Sequence, residues 1–122
     1  MVKIVSLKTG FGWIEVNNKR YDYDIILDHT GNVVKRDKSI SEPFTSEYGH
    51  TPLSEKELQL YIKDRDFEVI YVGTGQSGVL PLTSEAKQML NNYTTIIKPT
   101  PEILNDILKE KRRFVAILHT TC

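Results

Sequence analysis

Three short apolar runs in the second half of the chain, at residues 67–72, 94–97 and 114–118, are separated by two stretches of helical periodicity, and this rhythm most constrains the fold. The first run is almost continuously apolar, the pattern of a strand covered on both faces. A helix is expected from about Thr83, with Glu85 in its first turn and Ala86, Met89, Leu90 and Tyr93 as its buried stripe. A second is announced by Thr100-Pro101-Glu102, read as an N-cap, a proline at the first helical position and an acid in the first turn. Ile103, Leu104, Ile107 and Leu108 make that helix amphipathic. Strand, helix, strand, helix, strand requires crossover connections, so the pattern predicts an α/β domain with helices packed on a sheet.

The first third has a different rhythm. Segments 3–8, 13–16, 24–27 and 32–35 alternate or are β-branched, with turn signals at Thr9-Gly10, Asn17-Asn18 and Thr30-Gly31, which predicts a meander of hairpins. Residues 39–52 are polar and punctuated by Pro43, Gly49 and Pro52, so a long loop is expected there, of the kind that often carries function. Ser54 with Glu57 three residues on forms a capping box for a helix whose apolar face is Leu58, Tyr61 and Ile62. A length of 122 residues fits one domain spanning 1–122.

Charge excludes some functions. Sixteen Lys plus Arg balance sixteen Asp plus Glu, which removes any bulk electrostatic reason to bind nucleic acid or an anionic membrane. The lone cysteine, Cys122, excludes an internal disulfide framework. The opening residues lack the apolar stretch of a secretion signal, so the cytoplasm is the expected location.

The segment 73–78 fits the pattern G-x-G-x-x-G, in which glycines let a backbone approach a pyrophosphate. Val79-Leu80-Pro81-Leu82 then intervene before the helix, and Lys98-Pro99 stand where an acidic ribose partner belongs. Glycines chosen for a tight crossover explain the segment better than a nicotinamide or flavin site, and no cofactor is expected. If the strand ends converge, Thr100 lies beside this turn at the carboxyl edge of the sheet, where open α/β sheets bind ligands. Gly73, Thr74, Gly75, Thr100 and His119 then line one cleft, suited to a small anion. His119 and Cys122 could act as a base and a nucleophile, but they are too few for a metal, with His29 and His50 in distant segments. Lys109, Lys111, Arg112 and Arg113 offset a helix dipole. Asp22, Asp24 and Asp28 fall on one strand face by alternation, and Asp24 could pair with Arg36 on a neighbouring strand.

Taken together, Trp13-Ile14-Glu15-Val16, Tyr21, Asp24-Ile25-Ile26, Gly31, Val33 and Arg36 resemble the opening of the Mth938-like family. Gly49-His50 ahead of a helix is similar too, as are Gly73-Thr74-Gly75 after an apolar strand and Pro99-Thr100 before a helix carrying Asn105. So is Arg113-Phe114-Val115-Ala116 running into Leu118-His119-Thr120-Thr121-Cys122. The resemblance implies a three-layer α/β domain, with N-terminal β-hairpins and a mixed central sheet flanked by helices. It implies no established enzymatic activity. Eukaryotic relatives are linked to assembly of respiratory complex I and to adipogenesis, which is partner-binding work.

Two functional readings follow. The first is a non-catalytic interaction or assembly module with a protein partner, or with a second copy of itself. The second is a small-molecule or anion binder, or an enzyme, using the cleft of Gly73, Thr74, Gly75, Thr100, Asn105 and His119, with Asp24, Arg36, His50 and Arg113 as secondary candidates.

Overall fold

The structure, a computed structural model, describes residues 2–122. Its first three strands, β1 (Leu7–Gly10), β2 (Trp13–Val16) and β3 (Lys19–Tyr21), form an antiparallel sheet in the order β1-β2-β3. Strands β4 (Ile25–Asp28) and β5 (Val33–Lys35) follow. Two 3-10 turns, Lys38–Ile40 and Glu42–Phe44, then lead to a one-turn helix α1 (Thr45–Tyr48) and to α2 (Glu55–Ile62). The second half is β6 (Val69–Thr74), α3 (Ser84–Leu90), β7 (Thr94–Lys98), α4 (Thr100–Lys109) and β8 (Phe114–His119).

The five later strands make a mixed sheet in the order β5-β4-β8-β6-β7. β6 runs parallel to both β7 and β8, while β4 is antiparallel to β8 and to β5. Alternation along each strand divides the apolar residues between two cores. Ile25, Leu27, Val69, Tyr71, Ala116 and Leu118 face one side, where α4 adds Ile103, Leu104 and Ile107 and the N-terminal sheet adds Leu7, Ile14 and Val16. Ile26, Ile70, Val72, Val115 and Ile117 face the other, covered by Leu58 and Tyr61 of α2 and Ala86 and Leu90 of α3. Each fully buried aliphatic side chain contributes about 1.5–3 kcal/mol, so these two cores dominate the cohesion of the three layers.

Local physics explains where the elements depart from the sequence reading. β1 begins at Leu7 rather than residue 3, because the Asn17 side chain takes over the preceding backbone. It accepts from Val5 N at 2.8 Å and donates to Lys3 O at 2.8 Å. Gly10 is paired with Trp13, so the bend lies at Phe11-Gly12 and not at Thr9-Gly10. Asn17 and Asn18 both take positive φ, 51° and 71°, the geometry of a two-residue hairpin turn. That turn launches β3, a strand the pattern did not reveal. The 39–52 loop contains helical turns. Tyr93 lies beyond the end of α3, is 40% exposed and packs on Phe67 at 5.4 Å, so it is not part of a buried stripe. Leu108 of α4 is likewise exposed.

Thr100 is also not the cap of its helix. Pro99, extended at ψ 143°, occupies that position without a side-chain cap. The capping box of α2 is half formed: Ser54 Oγ accepts from Glu57 N at 3.3 Å, but the Glu57 carboxylate turns inward to another partner.

Candidate functional site

The topology gathers a polar cluster at the carboxyl end of β6 and β8. These strands end together, with Thr74 opposite His119. β4 runs the other way and pairs Ile25 with Leu118, so Asp24, just before β4, arrives at the same edge. β5 ends opposite the start of β4, which brings Arg36 there, and Arg36 N donates to Asp24 O at 2.9 Å. Asp22 diverges: β4 starts only at Ile25, and Asp22 stays outside, paired with Arg20, so the three aspartates do not share a face.

Arg36 lies buried between two carboxylates. Its Nη1 donates to Asp24 Oδ2 at 3.1 Å, and Nε and Nη2 form a fork on Glu57 at 2.5 and 3.0 Å. Ser41 Oγ and Tyr61 Oη complete the Glu57 shell, each donating at 2.6 Å. Burial opposes the charge on Arg36, but Glu57 and Asp24 more than offset it and raise the pKa above the ordinary arginine value. Burial and the Glu57 carboxylate both push the Tyr61 phenol well above its usual range.

Asp24 accepts from Thr120 N at 2.8 Å, Thr120 Oγ1 at 2.9 Å and His119 Nδ1 at 2.7 Å. Burial alone would raise its pKa, but the bonds and charge of His119, the Thr120 amide and Lys38 hold the carboxyl well below the usual range. An ionised carboxylate can only accept, so Nδ1 of His119 carries the hydrogen. Nε2 is left facing Thr121 Oγ1 at 3.2 Å. His119 also borders a cavity of about 160 Å³ whose lining includes Lys38, His50, Thr51, Val79, Leu80, Thr121 and Cys122.

The two bends foreseen at the sheet rim do meet. Thr100 Oγ1 accepts from Gly75 N at 2.9 Å and donates to His119 O at 2.6 Å. A Cβ at Gly73 would lie 2.7 Å from that hydroxyl oxygen, and one at Gly75, where φ is +102°, would collide with the backbone of Cys122. The chain itself fills the groove beside the turn. Gln76 N donates to Thr121 O at 2.7 Å and Val79 N to Cys122 O at 3.0 Å. The glycine turn therefore binds backbone carbonyls with the amides that a phosphate would use.

Gly73, Thr74, Gly75, Thr100, His119, Asp24 and Arg36 are thus brought together, and His50 reaches the same cavity as His119. Asn105 is exposed on α4. Arg113 precedes β8, at the opposite end of that strand from His119, and pairs with Asp66 at 2.7 Å and Glu68 at 3.3 Å. Glu57, Tyr61, Ser41, Lys38 and Thr120 were not foreseen as members. The sequence marked Glu57 only as part of a cap, Tyr61 only as part of an apolar helix face and Thr120 only within the family-like run that ends the chain. Among the described residues no group of three or more His, Cys, Asp or Glu side chains is placed to hold a metal ion. None of the described helices is long and apolar enough to cross a membrane.

Fold and site together define a class: a three-layer α/β domain whose mixed sheet is closed at one end by a buried carboxylate–arginine–carboxylate network. No family model and no curated protein matches the chain. Solved structures do. The conserved hypothetical protein PH1505 of Pyrococcus horikoshii is 35% identical, with 96% of this chain and 99% of that one covered and a TM-score of 0.82. The protein MT938 is 27% identical over 96% of this chain and 100% of its own, at a TM-score of 0.72. A Mth938-like domain from Bordetella pertussis is 21% identical over 97% of this chain and 85% of that one, with a TM-score of 0.51, a likeness of fold alone. The chain belongs to the Mth938-like family.

Proposed function

We propose that this protein is a non-catalytic interaction module that takes an extended segment of a protein partner along β7. The observation that carries this reading is the state of that strand. β7 forms one edge of the five-stranded sheet, five residues long, with β6 on one side and, among the described residues, no strand on the other. An edge of this kind presents unpaired backbone groups, and proteins usually blunt it with lysines or prolines along it, inward charges or a very short strand. β5 at the opposite edge is blunted in the last way, with three residues. β7 carries Thr94, Thr95, Ile96 and Ile97, with Ile97 exposed and the exposed Tyr93 before it. Its one charge, Lys98, stands at its last position, drawn to Asp106 of α4 at 2.8 Å and followed by Pro99, so any blunting is confined to that end.

Recognition by strand addition draws affinity from main-chain bonds and specificity from neighbouring pockets. Two shallow grooves meet at Tyr93. One runs past Lys87, Leu90 and Thr95, and the other past Ile62, Lys63, Arg65 and Met89. They offer apolar surface from Ile62, Phe67, Met89 and Leu90 and positive charge from Lys63 and Lys87, beside the acid Glu68, which suits a segment with alternating apolar and acidic residues. The buried polar groups at the far end of the molecule serve a structural purpose in this reading, since both oxygens of Glu57 and of Asp24 are already occupied by the protein's own donors.

A photo-crosslinking residue placed at position 97 tests the reading against the same residue at position 34, where Val34 is exposed on the other edge strand. The expected result is one protein trapped from position 97 and not from 34, with capture lost in Ile97→Lys while that variant melts normally. No trapped protein, or equal trapping from both edges, would refute it.

A further inference from the structure

We propose that Thr121 is a covalent acceptor site, whose hydroxyl, activated by His119 and Asp24, takes an acyl group from an activated ester or thioester. The site lies beyond the end of β8 and does not depend on β7. A single transfer onto the chain requires no turnover, so it is compatible with a non-catalytic module.

The argument starts from three side chains bonded in series. Asp24 Oδ2 lies 2.7 Å from His119 Nδ1, and His119 Nε2 lies 3.2 Å from Thr121 Oγ1. Carboxylate, imidazole and hydroxyl in that order form an acyl-transfer nucleophile on unrelated folds, recognised by their roles and not by their places in a sequence. The acid is fixed and ionised. It is buried, Oδ1 accepts from the amide and hydroxyl of Thr120, and Oδ2 accepts from Arg36 Nη1. An ionised carboxylate only accepts, so the ring turns a hydrogen-bearing Nδ1 toward it. Whenever the ring is neutral, Nε2 is the acceptor and the Thr121 hydroxyl is its donor. The imidazole bonds this hydroxyl and not the exposed thiol of Cys122.

The segment that carries the hydroxyl is pinned. Gly12 N donates to Thr120 O at 2.8 Å, Gln76 N to Thr121 O at 2.7 Å and Val79 N to Cys122 O at 3.0 Å. Thr121 is half-buried and, with Lys38, borders two cavities, of about 160 and 480 Å³. Val79 and Leu80 give the smaller one apolar surface for a short acyl chain. The wider one, with Tyr23, Lys35, Asp37 and Ser39 in its lining, suits a polar leaving group. Lys38 Nζ, 3.6 Å from Asp24 Oδ2, brings positive charge to the edge where the carbonyl oxygen becomes negative. His50 and Cys122 are the other titratable groups of the smaller cavity.

The step balances within these residues. Thr121 Oγ1 bonds the carbonyl carbon while its proton passes to His119 Nε2. The bond from that carbon to the ester oxygen or thioester sulfur breaks, and the leaving group takes the proton from Nε2.

The experiment treats the intact protein with a fluorophosphonate, whose phosphorus stands in for the carbonyl carbon and loses fluoride, and maps the adduct by peptide mass spectrometry. One adduct, on Thr121, is expected, formed faster as the pH rises because only an unprotonated Nε2 takes a proton. Thr121→Ser should keep the labelling, and Thr121→Ala, which retains the three pinning backbone bonds, should melt as the parent does and lose it. His119→Gln should slow labelling by at least about a hundredfold. Nitrogen NMR of the neutral His119 ring should place its hydrogen on Nδ1. In a parallel arm, p-nitrophenyl acetate should leave an acetyl group on Thr121 of the parent and not of His119→Gln. The proposal is overturned by no adduct, by an adduct on Cys122 or lysine in place of Thr121, by labelling of Thr121 at the parental rate in His119→Gln, by the hydrogen residing on Nε2, or by an unacetylated Thr121.

Discussion

Two arginines of this molecule each hold two carboxylates, at opposite ends of the same sheet. Arg36 grips Asp24 and Glu57 with all three side chains essentially inaccessible, whereas Arg113 grips Asp66 and Glu68 with nearly half its surface in water. The residue types and distances are similar, but the energetics are not. In water an ion pair gains little, because solvent already stabilises both charges. In the interior each charge has lost its hydration, so the pair must be complete to be tolerated, and removing one member strands the others. The end of the sheet with the candidate site is thus rigidly specified, while the other end is decorated with interchangeable charges.

Arg36→Met gives the largest expected break in that comparison. It leaves Asp24 and Glu57 buried without their shared cation, and a loss of about 3–5 kcal/mol is expected in urea denaturation. An unchanged midpoint would mean that the network is decorative too. Asp24→Asn should be milder, about 1–3 kcal/mol at neutral pH, because Arg36 keeps its fork on Glu57 and the asparagine keeps one acceptor oxygen, while its amide nitrogen faces donors that the second carboxylate oxygen had satisfied. Its pH dependence sharpens the point. The folded carboxyl titrates below the unfolded value of about 3.9, so its contribution is fully present above that pH and is lost as the pH falls toward the lower folded value. The stability gap between parent and Asp24→Asn should therefore close on acidification below about pH 4; a gap constant with pH would contradict the assignment. Arg113→Ala should be the smallest effect, with no change in melting midpoint outside experimental scatter and none added by salt.

The same contrast shows what a sequence reveals. β2 was readable to the residue, because alternation and turn residues are local signals. The meeting of Asp24 with Arg36 was readable from strand adjacency. Glu57 was not: an acid three residues after a serine looks like a cap, and only the seating of α2 against the end of β5 turns its carboxylate toward Arg36. Thr100 was misread for the same reason. Its placement before a proline and an acid has the form of a cap, yet its hydroxyl has stronger partners in Gly75 and the His119 carbonyl, which lie 25 and 19 residues away. Asn105 and Arg113 entered through family resemblance, and their distance from His119 is a fact of three-dimensional placement that no spacing encodes.

The strand order has a consequence for how the protein is made. β8 lies between β4 and β6, yet it is the last of the eight strands to be synthesised. Until residues 114–119 clear the ribosome, the two flanking halves of the sheet have no common seam, and both apolar faces wait without their central partner. During biosynthesis this chain should therefore pass through an open, adhesive stage that a sheet assembled in sequence order would avoid, and that stage is where chaperones would find most to hold.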